Sequence, residues 1–548
     1  MRYVRLAFVS PRYGTGVVGG AEAHLRELAE GLAGRGHEVS VLTTGALDTD
    51  TWQNELAPGV TVESGVEVRR FEALPRADHA RRDDLDHRVL GGGPLSASVE
   101  LAWVASRYEA PDLAHHVERE AGRYEAIVYA PYLAWTTLHC LPLAPGRSVL
   151  VPCLHDEPAA RLRVVRAALA GAAQVWFLSE PEHELAHRLV PLGTHRTIGA
   201  GVRVPERYDA DGFRRRHGLA RRPFVLYAGR REDGKGWPGA LAGLEVATGR
   251  LGLDVDLVTI GAGRAPVPEH LADRVVDLGC LDAAEVPDAF AAAAAHVQPS
   301  TLESFSRTVM ESWLAGTAVI GNAAGAVVSW HCERSGGGLL YGDELELAEC
   351  VKTVLERPDL AAEMASHGRR YVLDEHLWPP VLERAEVALE ELAARRRAGA
   401  RAGTGGDAAG IDEAALGVRT AAARARAALG ARLLEDDVPL AEWLPVPGMG
   451  VQATRSSKTP PARRGGRAGA SSSFGELSTP VARASARARA RASARAVANA
   501  LERRAARGAA PRVVLRAVRA LRAARRAWLE SGSPTSPAPP VAPPRDVR

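Results

Sequence analysis

Apolar residues along the first 375 positions fall into two alternating patterns. Short runs rich in Val, Leu and Ile, bounded by Gly, Pro, Ser or Asp, read as strands at 4–9, 38–42, 126–129, 148–151, 174–178, 196–198, 224–227, 256–260, 274–278 and 318–320. Between them, apolar positions three and four apart predict helices, notably at 21–33, 159–170, 182–189, 237–250 and 345–355. Continuous apolar runs mark strands covered on both faces, as in parallel sheets. The alternation therefore predicts an α/β chain with two Rossmann-like, doubly wound domains, 1–205 and 206–375, dividing near residues 201–211. A helical pattern over 371–397, interrupted by Pro379-Pro380, follows, and beyond residue 398 the periodicity gives way to low-complexity sequence.

Length and composition agree with this division. At 548 residues the chain exceeds one ordinary core, and 46% apolar content suits a globular protein. Five scattered cysteines without metal-ligand spacing read as reduced thiols in a cytoplasmic protein. The N-terminal apolar run is too short for a signal-peptide core, and no apolar stretch is long enough to span a membrane. Charge is unevenly placed: residues 451–548 hold 21 basic and 4 acidic side chains, net +17, which leaves net −14 for residues 1–450. A basic tail, partly disordered with isolated Ala/Arg helices, thus follows an acidic body over 399–548. Its best helix, 511–529, sets Val513, Val514, Val518, Leu521 and Trp528 among arginines, a pattern that permits lying on an anionic membrane surface. Biased codon usage explains the same composition, and nothing in it specifies a nucleic acid.

The densest chemistry lies in Pro299-Ser-Thr-Leu-Glu303-Ser-Phe-Ser-Arg-Thr-Val-Met-Glu311, where two glutamates stand eight apart across a serine-rich turn. Helical spacing begins at Phe305, with Val309, Met310, Trp313 and Leu314 as its apolar stripe and Glu311 at the stripe's edge. A half-buried carboxylate there suits a diol such as ribose, and the backbone N–H groups of Ser304, Phe305, Ser306 and Arg307 would point at an anion from the helix start. Farther upstream, Gly14-Thr-Gly16-Val-Val-Gly19-Gly20 follows the first strand as a literal G-x-G-x-x-G. The second strand ends Thr43-Thr44-Gly45, without the acid a dinucleotide ribose requires, which argues against a nicotinamide or flavin; no other cofactor is implied. His155 and Asp156 sit just past the strand at 148–151, where ligand-facing residues of such sheets lie. Gly229-Arg230-Arg231-Glu-Asp-Gly-Lys235-Gly236 places cations at the end of another strand, suited to the charge of a diphosphate. Asp84-Leu-Asp86 and Asp254-Val-Asp256 have metal-site spacing. The first lies in a charged surface run and the second at a strand's amino-terminal end, so no metal is expected at either.

Taken in order, Gly19-Gly20, His155-Asp156, Arg230 with Lys235, Gly261-Ala-Gly263 and Glu303 with Glu311 resemble the motifs of retaining GT-B glycosyltransferases of family 4, the glycosyl transferases group 1 of bacteria. Arg35-Gly36-His37-Glu38 is similar to the family's amino-terminal signature. The resemblance covers about seven-tenths of the chain and implies two Rossmann-like domains facing a cleft. Residues 1–205 would form the acceptor side, 206–375 would bind the nucleotide sugar, and 376–398 would form a helix crossing back to the first domain. It further implies an NDP-sugar donor and a hydroxyl acceptor on a glycan, lipid or small molecule. Glu311 would hold the ribose, Arg230 and Lys235 the diphosphate, and Gly19 and Gly20 would approach that diphosphate. Glu303 would contact the donor sugar or phosphate, and His155 the sugar at its reacting face, with Asp156 orienting it or reaching the acceptor. Such enzymes build polysaccharides, glycolipids and glycoconjugates in the cytoplasm, some at the inner face of the membrane. The family often writes Glu-Gly-Phe-Gly where this chain has Glu303-Ser-Phe-Ser306, which would add a side chain near phosphate. Trp330-His-Cys-Glu-Arg-Ser-Gly-Gly-Gly is similar to the loop before the family's last strand. A sugar-nucleotide epimerase and a non-catalytic nucleotide-sugar sensor are the alternatives.

Overall fold

Two main sheets organise the computed structural model, which describes residues 3–17, 19–219, 222–263 and 266–402; the expectations for the basic tail fall outside these residues. The strands of the first half are β1 (Arg5–Val9), β2 (Glu38–Thr44), β3 (Gly59–Glu63), β4 (Val66–Phe71), the short pair β5 (Leu74–Pro75) and β6 (Tyr108–Glu109), β7 (Ala126–Tyr129), β8 (Ser148–Leu150), β9 (Gln174–Phe177) and β10 (His195–Thr197). Their main sheet has the order β10-β9-β8-β7-β1-β2-β4-β3. Its inner strands pair in parallel, and β3 returns antiparallel along β4 at the edge. The second half adds β11 (Phe224–Ala228), β12 (Asp256–Ile260), β13 (Val275–Asp277), β14 (Ala295–Gln298), β15 (Val319–Asn322) and β16 (Gly338–Tyr341), ordered β13-β12-β11-β14-β15-β16 and parallel throughout. In each sheet the chain reverses direction beside its first strand, at β1/β7 and at β11/β14. Ligands of open parallel sheets bind beyond the carboxyl ends at such a switch.

Burial explains the parallel arrangement. Leu6, Ala7, Phe8 and Val9 are wholly buried, as are Ile127, Val128 and Tyr129 on the neighbouring strand. Around β11, one face packs on Trp237, Leu241 and Leu347, and the other on Phe213 and Phe290. The described chain divides into two compact units: 3–177, 184–196 and 386–402 in the first, and 178–183 and 197–385 in the second.

The last helix, Trp378–Ala402, contributes to both units. In the first, its Glu386 is almost fully buried, 2.9 Å from Arg35 and 3.3 Å from His37. Arg196 pairs with Glu391, and Arg396 donates to the Glu125 carbonyl at 2.6 Å. The Arg35-Gly36-His37 signature therefore anchors this helix to its own unit.

Several local expectations need correction. The helical pattern over 371–397 breaks at His376–Leu377 rather than at the proline pair, and it continues past residue 398 to Ala402. Pro379 and Pro380 occupy the first turn, where no intrahelical N–H is required. The segment similar to a loop before the last strand is largely helix, Ala326–Ser335, ended by left-handed Gly336. Residues 159–170 divide into a 3-10 turn, Pro158–Arg161, and a helix, Arg163–Gly171. The helix expected from Phe305 starts two residues later, at Arg307.

Candidate functional site

In the second unit, the loops after β11 and β14 emerge side by side at the switch point, and the paired charges lie on them. Lys235 Nζ donates to Glu303 Oε1 at 2.8 Å and to the Leu302 carbonyl at 3.1 Å, both side chains being largely but not fully covered. Arg230 is two-thirds exposed and reaches Glu232 at 3.0 Å. Tyr227 fixes this turn, its hydroxyl donating to the Arg230 carbonyl at 2.6 Å. Burial, and after it the nearby Glu232, push that phenol well above its ordinary range and keep it a donor.

Arg231 has a different task from its neighbour. It is 7% exposed and donates to the carbonyls of Gly261, at 2.9 Å, and Gly263, with Asp277 at 3.2 Å. Arg230 is thus the arginine available to a ligand, and Arg231 braces two loops. Gly261 and Gly263 belong to that brace. Gly261 has φ +123°, and a Cβ there would lie 2.4 Å from the Gly229 carbonyl oxygen; Gly263 has φ +95°. Backbone packing by itself accounts for both glycines.

The Glu303 turn also differs from expectation. Phe305 and Ser306 are 3% and 4% exposed, so their side chains face inward. Phe305 rests against the rings of His331 and His376, centroids 5.2 and 5.1 Å away. Burial pushes His376 down to about 3, with Arg384 and Arg334 adding to it, and holds His331 well below its usual value, so both rings are neutral at ordinary pH. Ser306 is left-handed, φ +65°, which explains why glycine suits this position. Its hydroxyl oxygen accepts from Gln298 Nε2 at 2.9 Å, so the added side chain points into the protein. Ser306→Ala is expected to destabilise by about 1–2 kcal/mol, losing the bond and keeping the strain. Ser306→Gly should recover about 1 kcal/mol of that by relieving the strain; urea denaturation of both checks this. Ser304 and Arg307 are half-buried at the turn, and Glu311 is half-buried beside fully buried Met310 and Ser312, at the edge of the apolar face as its spacing predicts.

In the first unit, Gly19 caps the helix Gly20–Gly34. A Cβ on Gly19 would lie 2.3 Å from Glu22 Oε2, and Arg12 holds that carboxylate at 2.5 Å, so it cannot swing aside cheaply. Gly20 is exposed at the helix start. His155, beyond β8, is about one-third exposed, whereas Asp156 is engaged by Arg161 at 2.5 Å. The D-x-D pairs are occupied otherwise: Asp86 accepts from Trp103 and Arg107, and Asp254 and Asp256 face Arg222 and Arg274. Among the described residues no cluster of His, Cys, Asp and Glu has metal-site geometry, and no helix is long and apolar enough to cross a membrane.

Comparison with known proteins matches these elements in chain order. Residues 19–201 match the glycosyl transferase 4-like domain and residues 222–357 the glycosyl transferases group 1 domain. A 2-deoxystreptamine N-acetyl-D-glucosaminyltransferase of Streptomyces fradiae is 30% identical over 340 residues, 57% of this chain and 76% of the relative. A D-inositol 3-phosphate glycosyltransferase of Acidothermus cellulolyticus is 27% identical over 419 residues, 71% of this chain and 89% of the relative. Among solved structures, sucrose-phosphate synthase from Thermosynechococcus elongatus superposes with a TM-score of 0.54 at 22% identity, covering 72% of this chain and all of its own. Anabaena HepE in complex with UDP and glucose gives 0.52 at 20% identity, over 71% of this chain and all of its own. With both family domains matched in order and a 30% identical relative covered over three-quarters of its length, the chain belongs to the group 1 family of GT-B glycosyltransferases.

Proposed function

We propose that this glycosyltransferase works with retention and without a metal, moving a sugar from a nucleoside-diphosphate donor to a hydroxyl of a small polyol. The observation that carries the reading is the Lys235–Glu303 pair at the carboxyl ends of β11 and β14, with Arg230 exposed beside it. When the glycosidic bond breaks, negative charge grows on the departing diphosphate. Fixed cations stabilise that charge most where it is greatest, in the transition state. Arg230 and Lys235 supply this neutralisation, the usual task of a metal in other glycosyltransferases. Glu311 holds the ribose hydroxyls, and Glu303 receives a hydroxyl of the donor sugar while orienting Lys235. Ser304 and Arg307 present backbone donors at the helix start. The family resemblance would give Gly19 and Gly20 of the first unit the task of approaching the diphosphate, and His155 that of meeting the sugar near its reacting carbon. The acceptor oxygen attacks the face from which the diphosphate leaves; its proton passes to the departing phosphate oxygen, and configuration is retained.

For the acceptor, the two named relatives point to carbocyclic polyols, inositol 3-phosphate and 2-deoxystreptamine. HepE, of the same fold, is seen with UDP-glucose, so UDP-sugars head the donor panel. The net +17 segment 451–548 would hold the enzyme near anionic lipid, a reading from charge alone. The test measures binding and slow hydrolysis of UDP-, GDP- and ADP-sugars, with EDTA present, by wild type and Glu311→Ala. One donor should bind and release its sugar as the α-anomer, and Glu311→Ala should weaken binding about tenfold or more. Release of the β-anomer would overturn retention, loss of activity in EDTA would overturn metal independence, and binding of no donor would overturn the site.

A further inference from the structure

A buried hydroxyl with two partners lies just after β9, in the segment 178–183 of the second unit. Ser179-Glu-Pro-Glu182 has the spacing of a capping box, and the helix Glu180–Leu189 follows it. Ser179 Oγ accepts from the Glu182 N–H at 3.3 Å, and Glu182 Oε2 accepts from the Leu178 N–H at 2.6 Å. Capping accounts for the oxygen of Ser179 but not for its hydrogen. That hydrogen goes to the Ser304 carbonyl at 2.7 Å, 125 residues away in the turn that carries Glu303. A carbonyl only accepts, so the direction of the bond is fixed. Ser179 is wholly buried, and water does not compete for it.

This bond dictates how one peptide of the turn is oriented. In a trans peptide the C=O and the following N–H point opposite ways. With the Ser304 carbonyl drawn to Ser179, the Phe305 N–H points away from it. No carbonyl or side chain among the described residues accepts from that N–H. Two residues earlier, the Leu302 carbonyl is held by Lys235 Nζ at 3.1 Å. Alternate carbonyls of the turn are thus pinned, one by the cation and one by Ser179. The Phe305 ring is fixed as well, packed inward against His331 and His376.

We propose that Ser179 is a positioning residue for glycosyl transfer, its hydroxyl aiming the Phe305 N–H at the donor diphosphate. This role rests on the reading of the Glu303 turn as the diphosphate site, and deepens it by adding one backbone donor. A donor fixed before the ligand arrives needs no reorganisation as charge grows on the departing phosphate. Cap and staple are chemically separable. Glycine is tolerated at a helix cap, whereas the Ser304 bond needs a side-chain hydrogen that glycine lacks.

The experiment measures binding of UDP, GDP and ADP by calorimetry, with full-length wild type and Ser179→Gly. The diphosphate that binds the wild type best should bind Ser179→Gly about tenfold more weakly. The melting temperature should fall by no more than about 5 °C. Equal affinity in the two proteins would reduce Ser179 to a cap and overturn the proposal. A spectroscopic reading follows the amide itself. Labelling serine carbonyls with 13C and phenylalanine amides with 15N picks out two Ser-Phe pairs, 304–305 and 473–474, and the Phe305→Leu spectrum tells them apart. The bound diphosphate should move the Phe305 amide proton downfield in the wild type, and less so in Ser179→Gly. An amide unmoved by a bound diphosphate would also overturn the proposal. If Ser179→Gly does not fold, Ser179→Cys, close in size and only a weak donor, decides by the same two readings. Binding of none of the three diphosphates by the wild type would instead overturn the functional reading, and the role of Ser179 with it.

Discussion

Lys235→Ala is expected to lower kcat/KM for the donor by about a hundredfold to a thousandfold, the largest kinetic effect of any single substitution considered. Two losses combine. The first is the cation itself, which is largely covered and so screened less than a surface lysine, and which on the proposed reading would sit where the diphosphate gathers charge. The second is the anion it leaves behind: Glu303, 2.8 Å away in the native protein, would face the diphosphate uncompensated. The second loss has a clear signature. Removing the charge of Glu303 as well, in Lys235→Ala/Glu303→Gln, should recover part of the deficit in donor affinity, so the double variant binds UDP more tightly than Lys235→Ala alone. Non-additivity of this sign is what coupled, contacting charges produce. Titration calorimetry with UDP, followed by donor hydrolysis, separates the terms. An effect below about threefold would place Lys235 away from the diphosphate and return the pair to a purely structural role.

The β11 and β14 loops show how far the amino-acid pattern carries and where it stops. Strands such as 126–129 and 256–260 are legible residue by residue, because buried parallel strands are short apolar runs between turn formers. β3 and β4 are not, since 59–71 mixes Val with Glu and Arg and half of it faces solvent at a sheet edge. β14 is hidden because Ala-His-Val-Gln continues an alanine run that favours helix; only burial between β11 and β15 makes it a strand. Motif spacing locates Lys235, Glu303 and Glu311 but cannot tell which of two adjacent arginines faces out. That is settled by Thr259, Gly261, Gly263 and Asp277, brought together around Arg231 from distant positions. In the first unit the Tyr132 hydroxyl donates to Glu157 across 25 residues, a contact with no spacing signal at all. For Ser306, the departure from the family's glycine is visible in sequence, but its inward rotamer and its bond to Gln298 are not.

Gly261→Ala should be the most damaging small substitution in the second unit, costing about 3 kcal/mol and lowering that unit's melting temperature by roughly 6–12 °C. Two independent penalties meet at this position. The backbone holds φ +123°, a conformation that L side chains rarely adopt, and the added methyl would approach a backbone oxygen, that of Gly229, to 2.4 Å. A backbone atom cannot rotate away as a side-chain tip can, so one of the two loops must move. Their connections allow little movement: Gly229 N–H donates to the Ile260 carbonyl at 3.0 Å, Arg231 N–H to Ala262 at 3.1 Å, and Gly261 N–H to Gly279 at 2.7 Å. Gly229→Ala is the matched control. Its nearest neighbour would be the Tyr227 hydroxyl at 3.8 Å, an ordinary contact, so a cost below about 1 kcal/mol is expected. Differential scanning calorimetry of the two variants should therefore separate glycines that face each other across one turn. Because the displaced turn carries Arg230, donor KM in Gly261→Ala should also rise, by about tenfold, while Gly229→Ala stays close to wild type. Equal melting temperatures for the two variants would mean that the strand-end loops yield, and that Arg231 does not hold them together.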